Sequence, residues 1–305
     1  MKNILITGHN GFIGNNFLNK IKKKNNIYVL KEKNTSDKLK EIKLNRSFSN
    51  IKTFHSTFKK IDYIFLIGSN TSLDFAEHNP KKSYQINVMP ILRLLNFIKL
   101  NNLNPKIIYL STTSIYKSSK KIINTKSKIH LSSRYDLNKF IVEKKLLSFS
   151  KDYKLDVCIL QLSNVYGPTH TTFKKDRGTI NKIIRNAKKS KEIKIFGSGN
   201  YLRDYIFIDD VINALLKCMT NKKIFKKRKF ILCSGESFLI KDTFKLIQKF
   251  LEKKYKIKIK LVKYPLKKKF YKLNTRSFKS NSKIFTELTG WKAKYSLKQG
   301  LHKMV

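Results

Sequence analysis

The sequence predicts an α/β fold, a doubly wound parallel sheet with a smaller α/β C-terminal lobe. Three observations predict it. Short apolar runs rich in β-branched and aromatic residues recur through the first half of the chain. Helical patterns stand between them, and after about residue 168 the pieces become shorter and less regular. Strands alternating with helices pair in parallel, and continuous apolar runs are those covered by helices on both faces. At 305 residues the chain allows one large domain or two smaller ones. The reading divides it into 1–167 and an interleaved lobe at 168–305, with about 201–219 returning to the first.

Residues 2–8 (KNILITG) read as a buried strand, followed by a glycine-punctuated turn and a helical stretch at 15–23. Residues 27–30 (IYVL), 63–68 (YIFLIG), 107–111 (IIYLS) and 157–163 (VCILQLS) are further strands. Helical patterns occupy 87–102 and 135–149, the latter with Leu137, Phe140, Ile141 and Leu147 recurring on one face. In the second lobe, 207–219 (FIDDVINALLKCM) restores a strong helical pattern, with Asp209 and Asp210 read as caps at its start.

Composition removes several classes. No stretch approaches the ~20 apolar residues of a bilayer-spanning helix, and the start lacks the apolar segment and cleavage site of a secretory signal. Cys158, Cys218 and Cys233 lie far apart, so neither a disulfide framework nor a metal site is indicated. A cytoplasmic protein, without metal and not membrane-bound, is the expectation. The net charge is +48, from 67 Lys+Arg against 19 Asp+Glu. Such a balance would serve nucleic-acid binding, yet only 8 of those basic residues are Arg, the side chain suited to bidentate phosphate contacts. The lysines are scattered rather than gathered in one arm. They accompany many Asn and Ile, residues that share A/T-rich codons. The charge is therefore read as compositional bias on a solvated surface, with nucleic acid not expected as a partner.

Gly8-His9-Asn10-Gly11-Phe12-Ile13-Gly14 links the first strand to the first helix. Gly8 permits the tight turn, Gly11 lets a pyrophosphate approach the backbone, and Gly14 allows close helix–strand packing. The free N–H groups at the helix start hold the anion. Tyr135 and Lys139, four apart on a helix, share one face, so the ammonium can sit beside the phenol and lower its pKa toward working pH. The same spacing occurs at Tyr116/Lys120 and Tyr264/Lys268, about what chance gives here. Context selects Tyr135: it opens a long amphipathic helix, whereas Tyr264 precedes Pro265 and Tyr116 ends a strand-like run.

The Gly-x-x-Gly-x-x-Gly loop, the Tyr-x-x-x-Lys pair and the segments below resemble the short-chain dehydrogenase/reductase superfamily, in particular its extended, nucleotide-sugar branch, the NAD-dependent epimerase/dehydratase family. The likeness runs from Lys2 to about Leu301. Ser111-Thr112-Thr113-Ser114-Ile115-Tyr116 resembles the family's Ser-Ser-x-x-Val-Tyr, which puts Thr112 on the substrate oxygen. Gln161-Leu162-Ser163-Asn164-Val165-Tyr166-Gly167-Pro168 resembles Arg-x-x-Asn-Val-Tyr-Gly-Pro, with Asn164 as a substrate contact and Gln161 in place of Arg. The segment 194–211, containing Arg203-Asp204-Tyr205, implies Arg203 on the substrate's diphosphate, with Arg276 as a second contact. Residues 288–291 and 296–301 look like the C-terminal signature.

What the resemblance implies is a Rossmann-type enzyme that binds NAD or NADP and moves a hydride at a carbon of a nucleotide-activated hexose. Tyr135 is the acid/base, Lys139 holds the ribose and tunes Tyr135, and Thr112 orients the sugar oxygen. Cofactor contacts fall on Gly8, Asn10, Gly11, Phe12, Ile13, Gly14, Gly68, Ser69 and Lys139. At the end of the second strand either Glu32, favouring NAD, or Lys31, favouring NADP, faces the adenine ribose. A homodimer through the helix of Tyr135 and its predecessor is implied as well. Dehydratases carry Asp-Glu where this chain has Thr113-Ser114, so 4,6-dehydration is counted out, while 4-epimerase and 4-keto reductase stay open. Rival readings are a nucleic-acid-binding or regulatory protein on a retained dehydrogenase fold, and a cofactor-binding subunit without activity.

Overall fold

The structure is a computed structural model of the chain and describes residues 1–30, 40–42, 48–168, 178–265 and 275–304. Strand β1 (Asn3–Thr7) leads through the glycine turn into α1 (Phe12–Ile21), then β2 (Asn26–Leu30) and β3 (Lys40–Ile42). The short α2 (His55–Lys59) precedes β4 (Tyr63–Leu66). Helices α3 (Leu73–His78), α4 (Pro80–Asn87) and α5 (Met89–Leu100) lead to β5 (Lys106–Thr112). A two-residue β6 (Ile122–Ile123) comes before α6 (Arg134–Asp152), β7 (Val157–Leu162) and β8 (Asn164–Tyr166). The remainder runs α7 (Thr179–Ser190), β9 (Glu192–Phe196), β10 (Leu202–Phe207), α8 (Ile208–Thr220), α9 (Lys223–Lys227), β11 (Lys229–Leu232), β12 (Ser237–Leu239), α10 (Ile240–Tyr255) and β13 (Lys260–Tyr264). It closes with β14 (Lys279–Ser280), α11 (Lys283–Thr289) and α12 (Leu297–Lys303).

The five apolar runs form the centre of a seven-stranded sheet in the order β11-β7-β5-β4-β1-β2-β3, every neighbour parallel. Alternation along β1 explains why a continuous apolar run is needed. Ile4 and Ile6 join a core with Phe17 of α1 and Ile212 of α8, whereas Leu5 joins the opposite core with Leu94 of α5 and Val142 of α6. The strand order reverses between β1 and β4, so the carboxyl ends of these strands open the crevice where a Rossmann-type sheet receives its ligand.

The second lobe is interleaved. Strand β10, within 201–219, pairs with β8 and β12 in a small three-stranded sheet, while α8 in the same segment packs on α1 and so flanks the large sheet. Residues 229–232, beyond the boundary at 167, return as β11 and form the edge of the large sheet.

Asp209 and Asp210 do not cap α8, which starts one residue earlier behind Phe207. Asp210 instead accepts the N–H groups of Lys294 and Tyr295 (2.9 and 3.2 Å), and its carbonyl accepts Trp291 Nε1–H at 3.0 Å. The C-terminal signature is thereby tied to the first turn of α8. Gly300 lies against Tyr166, where a Cβ would stand 2.1 Å from the phenol oxygen. Among the described residues no helix is long and apolar enough to cross a membrane, and no His, Cys, Asp and Glu cluster of three or more is placed to hold a metal.

Candidate active site

The glycine turn is built from backbone packed on backbone. Gly8 has a φ of +70°, and a Cβ on it would meet the Gly68 Cα at 2.5 Å. A Cβ on Gly14 would lie 2.1 Å from the Gly8 carbonyl oxygen. Gly11 donates its N–H to that same oxygen at 2.9 Å and sits at the N-cap of α1 without any side-chain cap. Thr7 completes the support, its Oγ1 accepting the N–H groups of Ile67 and Gly68, each at 3.1 Å. The ten-residue α1 thus presents uncapped amide groups over a surface of small residues, a cradle that fits a dinucleotide's pyrophosphate. Asn10, Phe12 and Ile13 sit half-buried around it. Ser69 donates to Asn87 Oδ1 (3.0 Å), which also takes the Asn70 N–H at 2.8 Å, so Asn87 of α4 fixes the loop after β4. Lys31 and Glu32 lie outside the described residues.

Helix α6 carries the other half of the site. Ser133 caps it by accepting the Asp136 N–H at 3.0 Å, which starts the helix just ahead of Tyr135. Tyr135 and Lys139 do come together: the Lys139 ammonium lies 5.8 Å from the Tyr135 ring centroid and 4.8 Å from that of Tyr109. Lys139 is 4% exposed and donates from Nζ to the Leu110 carbonyl at 2.8 Å, facing the end of β5. Burial pulls its pKa down to about 7, with the Glu143 carboxylate pulling the other way.

Tyr135 departs from expectation. Burial first, and the neighbouring Asp136 carboxylate second, raise its pKa above the ordinary phenol value. Lys139 does not offset them, because its amine is turned to the Leu110 carbonyl and is itself poorly charged when buried. In this state the phenol holds its proton.

Thr112, at the end of β5, accepts the Ser114 N–H (3.1 Å), and its Oγ1 lies 2.9 Å from Ser114 Oγ. Ser114 donates onward to Asp136 Oδ1. Asp136 Oδ2 pairs with Arg276 Nη1 at 2.9 Å, and the same nitrogen donates to the Ser114 carbonyl at 3.0 Å. Arg276, expected as a second contact to the diphosphate, pairs here with the fully buried Asp136 carboxylate of α6. Arg203 donates from Nη1 to the carbonyls of Leu202 (2.9 Å) and Arg276. Both guanidiniums lie over the Phe278 ring, at 5.7 and 5.4 Å. Burial lowers the Arg203 pKa to about 10. Asn164 donates to the Asp204 carbonyl at 3.1 Å. Asp204 itself accepts from Ser163, Ser234 and Gly235, locking β10 to the turn before β12.

Sequence reasoning missed Ser114, Asp136 and Glu143. Gln161, standing where relatives have Arg, accepts the Tyr116 hydroxyl at 2.7 Å and donates to both oxygens of Glu143 at 2.9 and 3.0 Å. Glu143 follows Tyr135 and Lys139 at a further four residues, so helical spacing would have found it. Burial raises its pKa, against the hydrogen bond from Gln161 and the charges of Lys229 and Lys139.

A parallel sheet with an open helix N-terminus at its switch point and a Tyr–Lys pair beside it defines a dinucleotide-binding protein of the dehydrogenase kind. The family model described as "NAD dependent epimerase/dehydratase family" matches residues 4–233, and the chain belongs to that family. It is similar to a UDP-glucose 4-epimerase from Mycoplasma genitalium, 27% identical over 262 residues that cover 76% of each protein. Among solved structures it is similar to a UDP-glucose 4-epimerase with UDP-glucose from Thermotoga maritima, at 25% identity and a TM-score of 0.82, covering 98% of this chain and 96% of that one. A dTDP-glucose 4,6-dehydratase from Bacillus anthracis in complex with NAD shares the fold, at 20% identity and a TM-score of 0.80, covering 100% of this chain and 95% of that one.

Proposed function

We propose that this protein is an NAD(P)-dependent enzyme that moves a hydride at a hexose carbon of a nucleotide-activated sugar, as a 4-epimerase or, with net consumption of NAD(P)H, as a 4-keto reductase. The observation that carries the reading is the pairing on α6 of the half-buried Tyr135 with the buried Lys139, set beside a glycine cradle at the carboxyl ends of parallel strands. The likeness to two 4-epimerases favours the redox-neutral cycle, in which the keto sugar turns over and takes its hydride back on the other face.

The amides at the start of α1 and the small surface of Gly8, Gly11, Gly14, Gly68 and Ser69 would hold the dinucleotide, with Lys139 on its ribose. When bound, the nicotinamide supplies the hydride acceptor and donor. For the sugar alcohol to be oxidised Tyr135 would act as the phenolate, taking the hydroxyl proton from the sugar oxygen as the C–H hydride leaves, and as the phenol it would give that proton back when the hydride returns, so charge and electrons balance at each half-reaction. Thr112 orients that oxygen, Asn164 contacts the sugar, and Arg203 takes the diphosphate. Dehydration is not part of the proposal: Thr113 is buried against the Leu162 carbonyl, and the Asp136 carboxylate is ion-paired to Arg276, so neither offers a proton carrier. A homodimer through α6 and α5 belongs to the same reading; Leu100, at the end of α5, is 66% exposed.

Tyr135→Phe tests the assignment. Loss of turnover by about 10²–10⁴-fold, with NAD affinity by calorimetry nearly unchanged, is expected for a general acid/base. Unchanged turnover of UDP-glucose, UDP-glucuronic acid and dTDP-glucose would reject it. The rival, a nucleic-acid binder, would instead show a steep loss of RNA affinity with salt and indifference to Tyr135.

A further inference from the structure

We infer that Asp136 and Ser114 are positioning residues that set the direction of the Thr112 hydroxyl, so that Thr112 meets the sugar as a hydrogen-bond acceptor and favours its alcohol form over its ketone. The inference deepens the proposed function and rests on it.

The argument is a count of protons. Asp136 is fully buried and ion-paired to Arg276 at 2.9 Å, so its carboxylate only accepts. Ser114 Oγ has one proton, and it goes to Asp136 Oδ1. The contact between Thr112 Oγ1 and Ser114 Oγ at 2.9 Å must then carry the Thr112 proton, because Ser114 has none left to give. Thr112 Oγ1 also accepts the Ser114 N–H at 3.1 Å, which holds the hydroxyl in place. What Thr112 has left for a ligand is a lone pair. A sugar hydroxyl can donate to it; a ketone oxygen cannot. The chain therefore runs from the sugar hydroxyl through Thr112 and Ser114 to Asp136, with Arg276 of the second lobe anchoring its far end.

The polarity can be reversed by one atom. In Asp136→Asn, Arg276 requires the amide oxygen, leaving the amide NH₂ to donate to Ser114. Ser114 then donates to Thr112, and Thr112 donates to the ligand, which suits the ketone. Ser114→Ala leaves the ion pair intact and frees the Thr112 proton, so it acts in the same direction and keeps the test alive if Asp136→Asn does not fold. Ser114→Thr keeps the hydroxyl and serves as the rescue.

The experiment mixes full-length protein carrying NAD with saturating UDP-glucose, UDP-glucuronic acid or dTDP-glucose and reads the fraction of bound nicotinamide in the reduced form by its absorbance. Relative to wild type, Asp136→Asn should raise the ratio of reduced to oxidised bound cofactor by about fivefold or more, the scale of one ordinary hydrogen bond. Ser114→Ala should raise it less, and Ser114→Thr should leave it unchanged, while NAD affinity is the same in all. A merely structural role would lower activity without moving this internal ratio, and a charge effect of Asp136 on Tyr135 alone would leave Ser114→Ala at the wild-type ratio and overturn the relay. Wild-type ratios in folded Asp136→Asn and Ser114→Ala, with Tyr135→Phe inactive, would overturn the relay and leave the proposed function standing. No reduced nicotinamide and no turnover in the wild type with any of the three sugars would overturn both.

Discussion

Helices α5 and α6 lie side by side on one face of the sheet and feed the same apolar core, yet they bury opposite kinds of residue. The buried side of α5 is Pro90, Ile91, Leu94, Leu95, Phe97 and Ile98. The buried side of α6 holds Asp136, Asn138, Lys139 and Glu143 beside Val142 and Leu146, and its apolar residues Leu137, Phe140, Ile141 and Leu147 are only half-buried. Turning polar groups inward costs free energy unless each finds a partner. On α6 they do: Asn138 donates to Ser83 at 2.9 Å, Lys139 to the Leu110 carbonyl, Glu143 accepts from Gln161, and Asp136 pairs with Arg276. A helix that only packs can be chosen for hydrophobic volume, whereas α6, proposed here to do chemistry, brings its polar groups where water is scarce.

Three substitutions probe that contrast. Leu94→Ala on α5, where the side chain is fully buried, should lower the unfolding free energy by ~2–5 kcal/mol in urea titrations and leave NAD binding of the folded fraction intact. A smaller loss would mean that α5 is not packed as described. Lys139→Met removes a buried amine whose folded pKa, about 7, lies below its unfolded value. Between those two values the unfolded chain holds a proton that the native protein lacks. The lysine's penalty, fully present below pH 7, therefore fades as pH rises toward the unfolded value. Wild-type stability should accordingly climb relative to the variant by up to about 1.4 kcal/mol per pH unit across that window. Parallel pH profiles for the two ligand-free proteins would contradict the buried placement of the amine. Leu147→Ala, on the half-buried side of α6, should change monomer stability by no more than about 1 kcal/mol. A loss as large as that at Leu94 would show that this face is covered in solution.

The same contrast explains what the sequence made legible. Five central strands were readable because a strand covered on both faces must be apolar at consecutive positions, as β1 and β7 are. Strand β3 is three residues, Lys-Glu-Ile, and β11 is four, opening with Lys229; edge strands this short carry no pattern of their own. The glycine cradle and the Tyr135–Lys139 pair were readable because their geometry is local, set by turn chemistry and by helical spacing. The Asp136–Arg276 pair was not, since 140 residues separate its members and only the return of the second lobe brings them together. On α6 the apolar periodicity marked residues that are half-buried, while the more deeply buried positions are largely polar, so the oily side of the helix did not point to them.

The contact of Gly8 with Gly68 has a consequence for affinity. The loop over α1 is braced from behind by the adjoining strand end and by three hydrogen bonds to and from Thr7. A loop braced in this way should cost association little in ordering. A side chain added at position 68 would push this brace apart, and the resulting loss of grip would register chiefly as a less favourable entropy, with the donors themselves untouched.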